Sequence, residues 1–140
     1  MKYPVLLSLR GKQTYANQEP DLIELVTEGT LEEKDEAWEI VYEETALTGL
    51  EGVKTIFRVE PKKIYLTRTG KLRSHMLFQE GTTHDSLYQM EFGAMMISVS
   101  ATKVEWSLSR EGGVIDLVYG IELEHSDVGV IEYHLDITAK

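Results

Sequence analysis

The last third of the chain alternates. In "VEWSLSREGGVIDLVYGIELEHSDVGVIEYHLDI", Val104 to Ile137, apolar side chains recur at every second residue through successive runs. That period fits strands with one buried face and does not fit a helix. Val104, Trp106 and Leu108 share a face, as do Ile115, Leu117, Tyr119, Ile121 and Leu123, and then Tyr133, Leu135 and Ile137. A two-residue turn at Glu111-Gly112 predicts the pairs Leu108–Ile115, Trp106–Leu117 and Val104–Tyr119. A three-residue loop Asp127-Val128-Gly129 predicts Leu123–Tyr133 and Ile121–Leu135.

The same rhythm runs back along the chain. Met95, Ile97 and Val99 form one face, followed by an expected turn at Thr102-Lys103 that sets Val99 against Trp106. Tyr88, Met90 and Phe92 form another face, as do Leu72, Ser74, Met76 and Phe78, and then Ile64, Leu66 and Arg68. Near the start, Val5, Leu7 and Leu9 face one way and Leu6 the other. A run through Ile23, Leu25 and Thr27 crosses Gly29, a mark of a bulge or barrel corner, and continues to Leu31. Only "EPDLIELV" is compatible with a helical turn. About ten strands with short connections predict an all-β, antiparallel, up-and-down meander. A sheet of that many strands twists until it closes, so the expected fold is a β-barrel of about 8–10 strands, with a sandwich second. The 140 residues read as a single domain, 1–140.

The balance of 24 acids against 14 bases gives a net charge of −10. Such a surface repels nucleic acid and anionic membranes, and neither is expected as a partner. One segment is basic: residues 61–80 hold Lys62, Lys63, Arg68, Lys71 and Arg73 against Glu80 alone. Outer charges paired with acidic neighbours explain it best; an anion-binding patch is the alternative. The chain has no cysteine, and "MKYPVLLSLRGKQ" lacks the pattern of a secretory signal. No apolar run is long enough to span a membrane as a helix. A cytoplasmic location is expected.

One carboxylate falls out of pattern. In "VYEETALTGLEGVKTIFRV", a four-residue loop Gly49 to Gly52 pairs Thr48 with Val53, Ala46 with Thr55, Glu44 with Phe57 and Tyr42 with Val59. Glu44 then shares the inner face of Trp38, Ile40 and Tyr42, while Glu43 and Arg58 share the outer one. A lone buried carboxylate is costly without a partner. A loop Thr69-Gly70-Lys71 pairs Arg68 with Leu72, Leu66 with Ser74 and Ile64 with Met76, which turns Arg68 inward too. A Glu44–Arg68 pair is expected, either closing one end of a packed barrel or holding the head group of an amphipathic ligand. Tyr42, Tyr88, Tyr119 and Tyr133 would add inward hydroxyls to an apolar wall, as a ligand pocket requires.

Short pieces in a fixed order carry a family resemblance: "TEG" at 27–29, "YEET" at 42–45, "GLEGVKT" at 49–55, "RTG" at 68–70, "MLFQEG" at 76–81, Tyr88 with Gly93 five residues on, and the late "GVIDLVYGIEL". In these the chain resembles the YwiB-like proteins, small bacterial β-barrels of uncharacterised function. It departs from them between Tyr88 and Gly93, where Gln-Met-Glu-Phe stands in place of a Thr-Pro. The resemblance implies a calycin-like barrel, the architecture of lipocalins, and implies no activity or catalytic residues.

Motifs for chemistry are missing. There is no phosphate-binding Gly loop, no G-x-S-x-G and no H-E-x-x-H. His134 and Asp136 share an outer face expected also to carry Glu132 and Glu122, a solvated charge cluster rather than a metal site; His125 and Asp127 repeat the spacing. "QEGTTHDS" reads as a polar loop with His84 and Asp85 but no nucleophile. No catalytic residue, metal site or cofactor is expected, and an enzyme ranks last. The first reading is a small apolar or amphipathic ligand held inside the barrel. Its contacts would be Glu44, Arg68, Tyr42, Trp38, Phe57, Met76, Tyr88, Met90, Trp106 and Tyr119. The second is a filled barrel that acts as an interaction module or homodimer.

Overall fold

Ten antiparallel strands wrap into one sheet whose two halves are joined through the first and last strands. The computed structural model describes residues 2–14, 19–44, 51–90, 93–123 and 126–140, with residues 126–128 described as backbone only. The strands are β1 (Lys2–Thr14), β2 (Asp21–Lys34), β3 (Ala37–Glu43), β4 (Lys54–Glu60), β5 (Lys63–Thr69), β6 (Ser74–Phe78), β7 (Thr83–Met90), β8 (Gly93–Ser109), β9 (Gly112–Leu123) and β10 (Ser126–Ala139). Their order in the sheet is β6-β5-β4-β3-β2-β1-β10-β9-β8-β7. Sequence neighbours are therefore spatial neighbours, and β1 is bonded to both β2 and β10. The two edges, β6 and β7, meet where Arg73 and Gln89 exchange both backbone hydrogen bonds at 2.8 Å. Ser86 Oγ also donates to the His75 carbonyl across this seam. The result is the expected up-and-down barrel, nearly closed. No helix is present among the described residues, so "EPDLIELV" forms no helical turn and enters β2.

Alternation assigns the faces correctly, but the registers move. The β8–β9 turn is Arg110-Glu111, because Ser109 pairs with Gly112; Trp106 faces Ile115 and Val104 faces Leu117, two residues from the predicted pairs. Gly112 and Gly113 lie in the strand rather than the turn. A Cβ on Gly112 would meet the Ile137 carbonyl oxygen at 2.0 Å, so close backbone approach fixes this position. The predicted loop 127–129 is part of β10: Asp127 pairs with Glu122, Gly129 with Ile121, and a bulge separates them, so Leu135 faces Ile115. The predicted turn at Thr102-Lys103 is likewise a bulge inside the 17-residue β8. Val99 therefore pairs with Ile121 and His84 rather than Trp106.

In the early hairpin Tyr42 pairs with Thr55 and Ile40 with Phe57, four residues from the predicted register. Glu44 lies opposite Val53, whose carbonyl accepts its N–H at 2.8 Å. The predicted Thr48 and Ala46 pairs fall outside the described residues, as do Phe92 and His125. Between β5 and β6, Arg68 faces Ser74 and Leu66 faces Met76, two residues from expectation. Gly29 forms no bulge: the ladders pass it unshifted, and a Cβ there would meet the Val41 carbonyl oxygen at 2.5 Å.

These pairings stack the inner face into rows. Trp38, Val59, Ile64 and Phe78 form one row across β3 to β6; Ile40, Phe57, Leu66 and Met76 form the next. Phe57, Phe78, Ile40 and Ile64 are fully buried. Burial of each such side chain is worth roughly 1.5–3 kcal/mol. From the far wall Tyr133 packs on Phe57 and Tyr119 on Phe78, with ring centroids 5.7 and 4.6 Å apart. This half of the barrel is filled. The third row is different in kind: Tyr42, Thr55, Arg68 and Ser74.

Candidate functional site

Above the apolar rows the interior opens into a cavity of about 520 Å³. It occupies the end of the barrel where β1, β3, β5, β7 and β9 finish and β2, β8 and β10 begin. The volume lies within the roughly 300–1,000 Å³ range of small-molecule sites.

Each polar group in it is set by strand alternation, which aims Tyr42 and Glu44, Arg68, Tyr119 and Tyr133 at the lumen. Glu44 is 6% exposed, and its Oε1 accepts a hydrogen bond from Thr55 Oγ1 at 2.7 Å. Burial, with the nearby Glu44 charge, pushes the Tyr42 phenol up to about 12. Burial alone accounts for most of the rise of Tyr119 to about 12. Tyr133 is raised well above the ordinary phenol value, again chiefly by burial and next by Tyr42. All three remain neutral hydroxyls at physiological pH.

Some of these groups lack partners. Arg68 Nε and the Tyr133 hydroxyl are buried without a well-formed hydrogen bond, and so is Ser74 Oγ across the ladder, which lies outside the cavity wall. The Tyr133 hydroxyl lies beside that of Tyr42, close enough for a side-chain hydrogen bond to contribute to both pKa values, but it is not in well-formed hydrogen-bond geometry. The predicted Glu44–Arg68 ion pair is not formed among the described residues. Both side chains line the same cavity, but Thr55, one strand nearer, holds the carboxylate.

Of the predicted contacts, Glu44, Arg68, Tyr42, Met76, Tyr88 and Tyr119 line the cavity. Trp38, Phe57, Met90 and Trp106 do not. Trp38 and Phe57 belong to the filled rows, and Trp106 packs against that half opposite Ile115. Met90 ends β7, 40% exposed, in a separate hollow beside Gly70 and Arg73. The prediction missed the wall given by Leu9, Leu25, Ile97, Ile121 and Ile131. Alternation marked most of these as inward, but nothing in it showed their height along the barrel.

The outer charges resolve differently from expectation. His134 is bracketed by Asp116 Oδ1 at Nδ1 (2.5 Å) and Asp136 Oδ2 at Nε2 (3.1 Å), with Arg10 on Asp136 at 3.8 Å. Glu122 is not beside it, because the bulge pairs Glu122 with Asp127. The hydrogen bond to Asp116 is the main cause of a raised His134 pKa. Among the described residues no cluster of His, Asp and Glu is placed to hold a metal ion. His84 and Asp85 lie in β7 rather than a loop, and Asp85 accepts from Ser98 Oγ at 2.6 Å. In the basic segment Lys63 pairs with Glu60 at 3.8 Å, whereas Arg68 is turned inward.

A family model described as "Domain of unknown function (DUF1934)" matches residues 7–137. Over 85 residues the chain is 30% identical to the "Uncharacterized beta-barrel protein YwiB" of Bacillus subtilis (strain 168), an alignment covering 58% of this chain and 60% of that relative's length. The solved structure described as "Crystal structure of ywiB protein from Bacillus subtilis" is similar with a TM-score of 0.90, covering 99% of this chain and 93% of that one. At 21% identity that likeness concerns the fold alone.

Proposed function

The chain belongs to the YwiB-like family described as a domain of unknown function (DUF1934), and from that premise we propose that it binds a small apolar or amphipathic molecule in the open half of its barrel. One observation carries the reading. Arg68 Nε is buried and unpartnered in a cavity of about 520 Å³ whose wall is otherwise largely apolar. Leaving such a donor unsatisfied costs roughly 1–3 kcal/mol, and a bound polar group removes that cost. Few polar groups converging in an apolar cavity is the usual composition of a ligand site. Cytosolic residence is part of the proposal.

Native mass spectrometry of protein purified from cells, set against its denatured mass, tests it. A bound mass lost on denaturation is expected. Bare protein that also fails to bind an environment-sensitive apolar dye saturably would overturn it.

A second reading, an interaction module or homodimer, draws on the outer wall. Leu22 and Val26 are 74% and 63% exposed on β2, with Leu6 diagonal to Val26 on β1. A dimer mass that Val26→Glu disperses would favour this reading; a monomer at all concentrations would remove it.

A further inference from the structure

We infer that the ligand is a singly charged carboxylate on an apolar chain or ring, bound head inward, with its tail towards the barrel mouth. This rests on the proposed interior site and specifies its occupant.

The unmatched groups can all donate, and Arg68 Nε can do nothing else. Arg68 Nε carries a proton that nothing accepts, and the Tyr133 hydroxyl stays protonated because burial holds its pKa high. Ser74 Oγ, directly across the ladder from Arg68, also lacks a partner but does not line the cavity, so the set a ligand meets is Arg68 and Tyr133. Two oxygens accepting together from Arg68 and its neighbours complete this set; an amine or an alkane does not. Arg68 has no ion pair among the described residues, so an anion also supplies its counter-charge.

The charge is limited by Glu44. Its carboxylate, buried and tied to Thr55, lines the same cavity. A dianion such as a phosphate monoester would carry a second charge into that field with one guanidinium to answer it. A monoanion balances Arg68 and leaves Glu44 as it stands.

Orientation follows from the rows. The polar row lies directly on the buried row of Ile40, Phe57, Leu66 and Met76, so the donors form a floor. Of that row only Met76 reaches the cavity, so little room lies below the donors. The wall towards the mouth is mostly apolar, through Ile121, Leu123 and Ile131, with Gln13 beside Ile131, and includes Ile23, which is 48% exposed. A tail therefore has company only on the way out.

The experiment is a calorimetric titration of the intact chain, stripped of endogenous ligand, with decanoate, decanol, decylamine and decyl phosphate. Decanoate is expected to bind about tenfold or more tighter than decanol, the equivalent of a charge-assisted hydrogen bond. Arg68→Met should bring decanoate to the level of decanol, and Tyr133→Phe should weaken it several-fold. Lengthening the acid, or placing a pyrene at its far end, should not abolish binding. Decanol matching decanoate, or decyl phosphate exceeding it, would overturn the head-group inference while leaving the pocket in place. Abrupt loss with a longer chain would overturn the orientation. If none of the four probes binds, the interior site itself falls. The probe series needs no variant, so a poorly folding Arg68→Met leaves the test intact.

Discussion

Thr55 and Glu44 are bound together inside the barrel, Oγ1 to Oε1 at 2.7 Å, although no strand ladder pairs them. Thr55 is fully buried and pairs with Tyr42 on one side and Arg68 on the other. It thus sits at the centre of the polar row and takes the carboxylate that the alternation forces inward. Thr55→Val keeps the shape and removes the donor. It should lower stability by about 1–3 kcal/mol, read as a shift in the urea midpoint. Thr55→Val combined with Glu44→Leu should lose less than the two changes summed, because the double variant leaves no stranded carboxylate. Full additivity would mean that the two side chains do not depend on each other.

Gly112 and Gly52 separate two reasons for a glycine. Both have positive φ, +116° and +91°. A Cβ at Gly52 meets nothing within 4 Å, so Gly52→Ala should cost only the backbone term, about 1–2 kcal/mol. At Gly112 the Cβ would also stand 2.0 Å from the Ile137 carbonyl oxygen, which is held in the β10 ladder. Gly112→Ala should therefore cost more, about 3 kcal/mol or above, or prevent folding. Equal urea midpoints for the two variants would contradict this account.

The contrast between faces and registers explains what the sequence made legible. Faces depend on alternation alone, and slips of two, four or six residues preserve them. Tyr42, Glu44, Arg68 and Tyr119 therefore reached the cavity despite wrong pairings. Registers depend on turns, and here Gly112, expected in the turn Glu111-Gly112, serves close strand packing instead. The bulge at Thr102 was visible as a change of parity, since Ala101 and Val104 both face inward, but a turn explains the same change. Height along the barrel was not legible, because strand stagger sets it. That is why Trp38 and Trp106 were placed beside the ligand while Leu9 and Ile131 were missed.

His134 links the outer wall to pH. Its raised pKa arises first from the hydrogen bond to Asp116. A group whose folded pKa exceeds its unfolded value, about 6.5, adds stability that is full below that value. The contribution is lost as pH rises through the folded pKa. The side chain is about one-third exposed, so the effect should be small. Urea midpoints should fall slightly from pH 6 upwards in the native chain and stay flatter in His134→Gln. Asp116→Asn should bring the His134 titration, followed by NMR, back towards 6.5. A His134 pKa unmoved by Asp116→Asn would exclude the bracket as its cause.

The interior phenols should give an alkaline signature. Tyr42 and Tyr119 rise to about 12 and Tyr133 also rises well above its ordinary value, mainly through burial. Each protonated phenol is favoured by the fold, so this stability is complete below the unfolded value near 10 and is lost as pH climbs towards 12. Phenolate absorbance should therefore show a late stage, from Tyr42, Tyr119 and Tyr133, that appears only as the barrel unfolds. Tyr119→Phe and Tyr133→Phe should each remove one phenol from the late stage and shift the alkaline midpoint upwards. If all seven tyrosines titrated together near 10 with the barrel intact, the lumen would be freely hydrated. The buried donors at Arg68 and Tyr133 would then already be satisfied by water, and the cavity would lose its claim on a ligand.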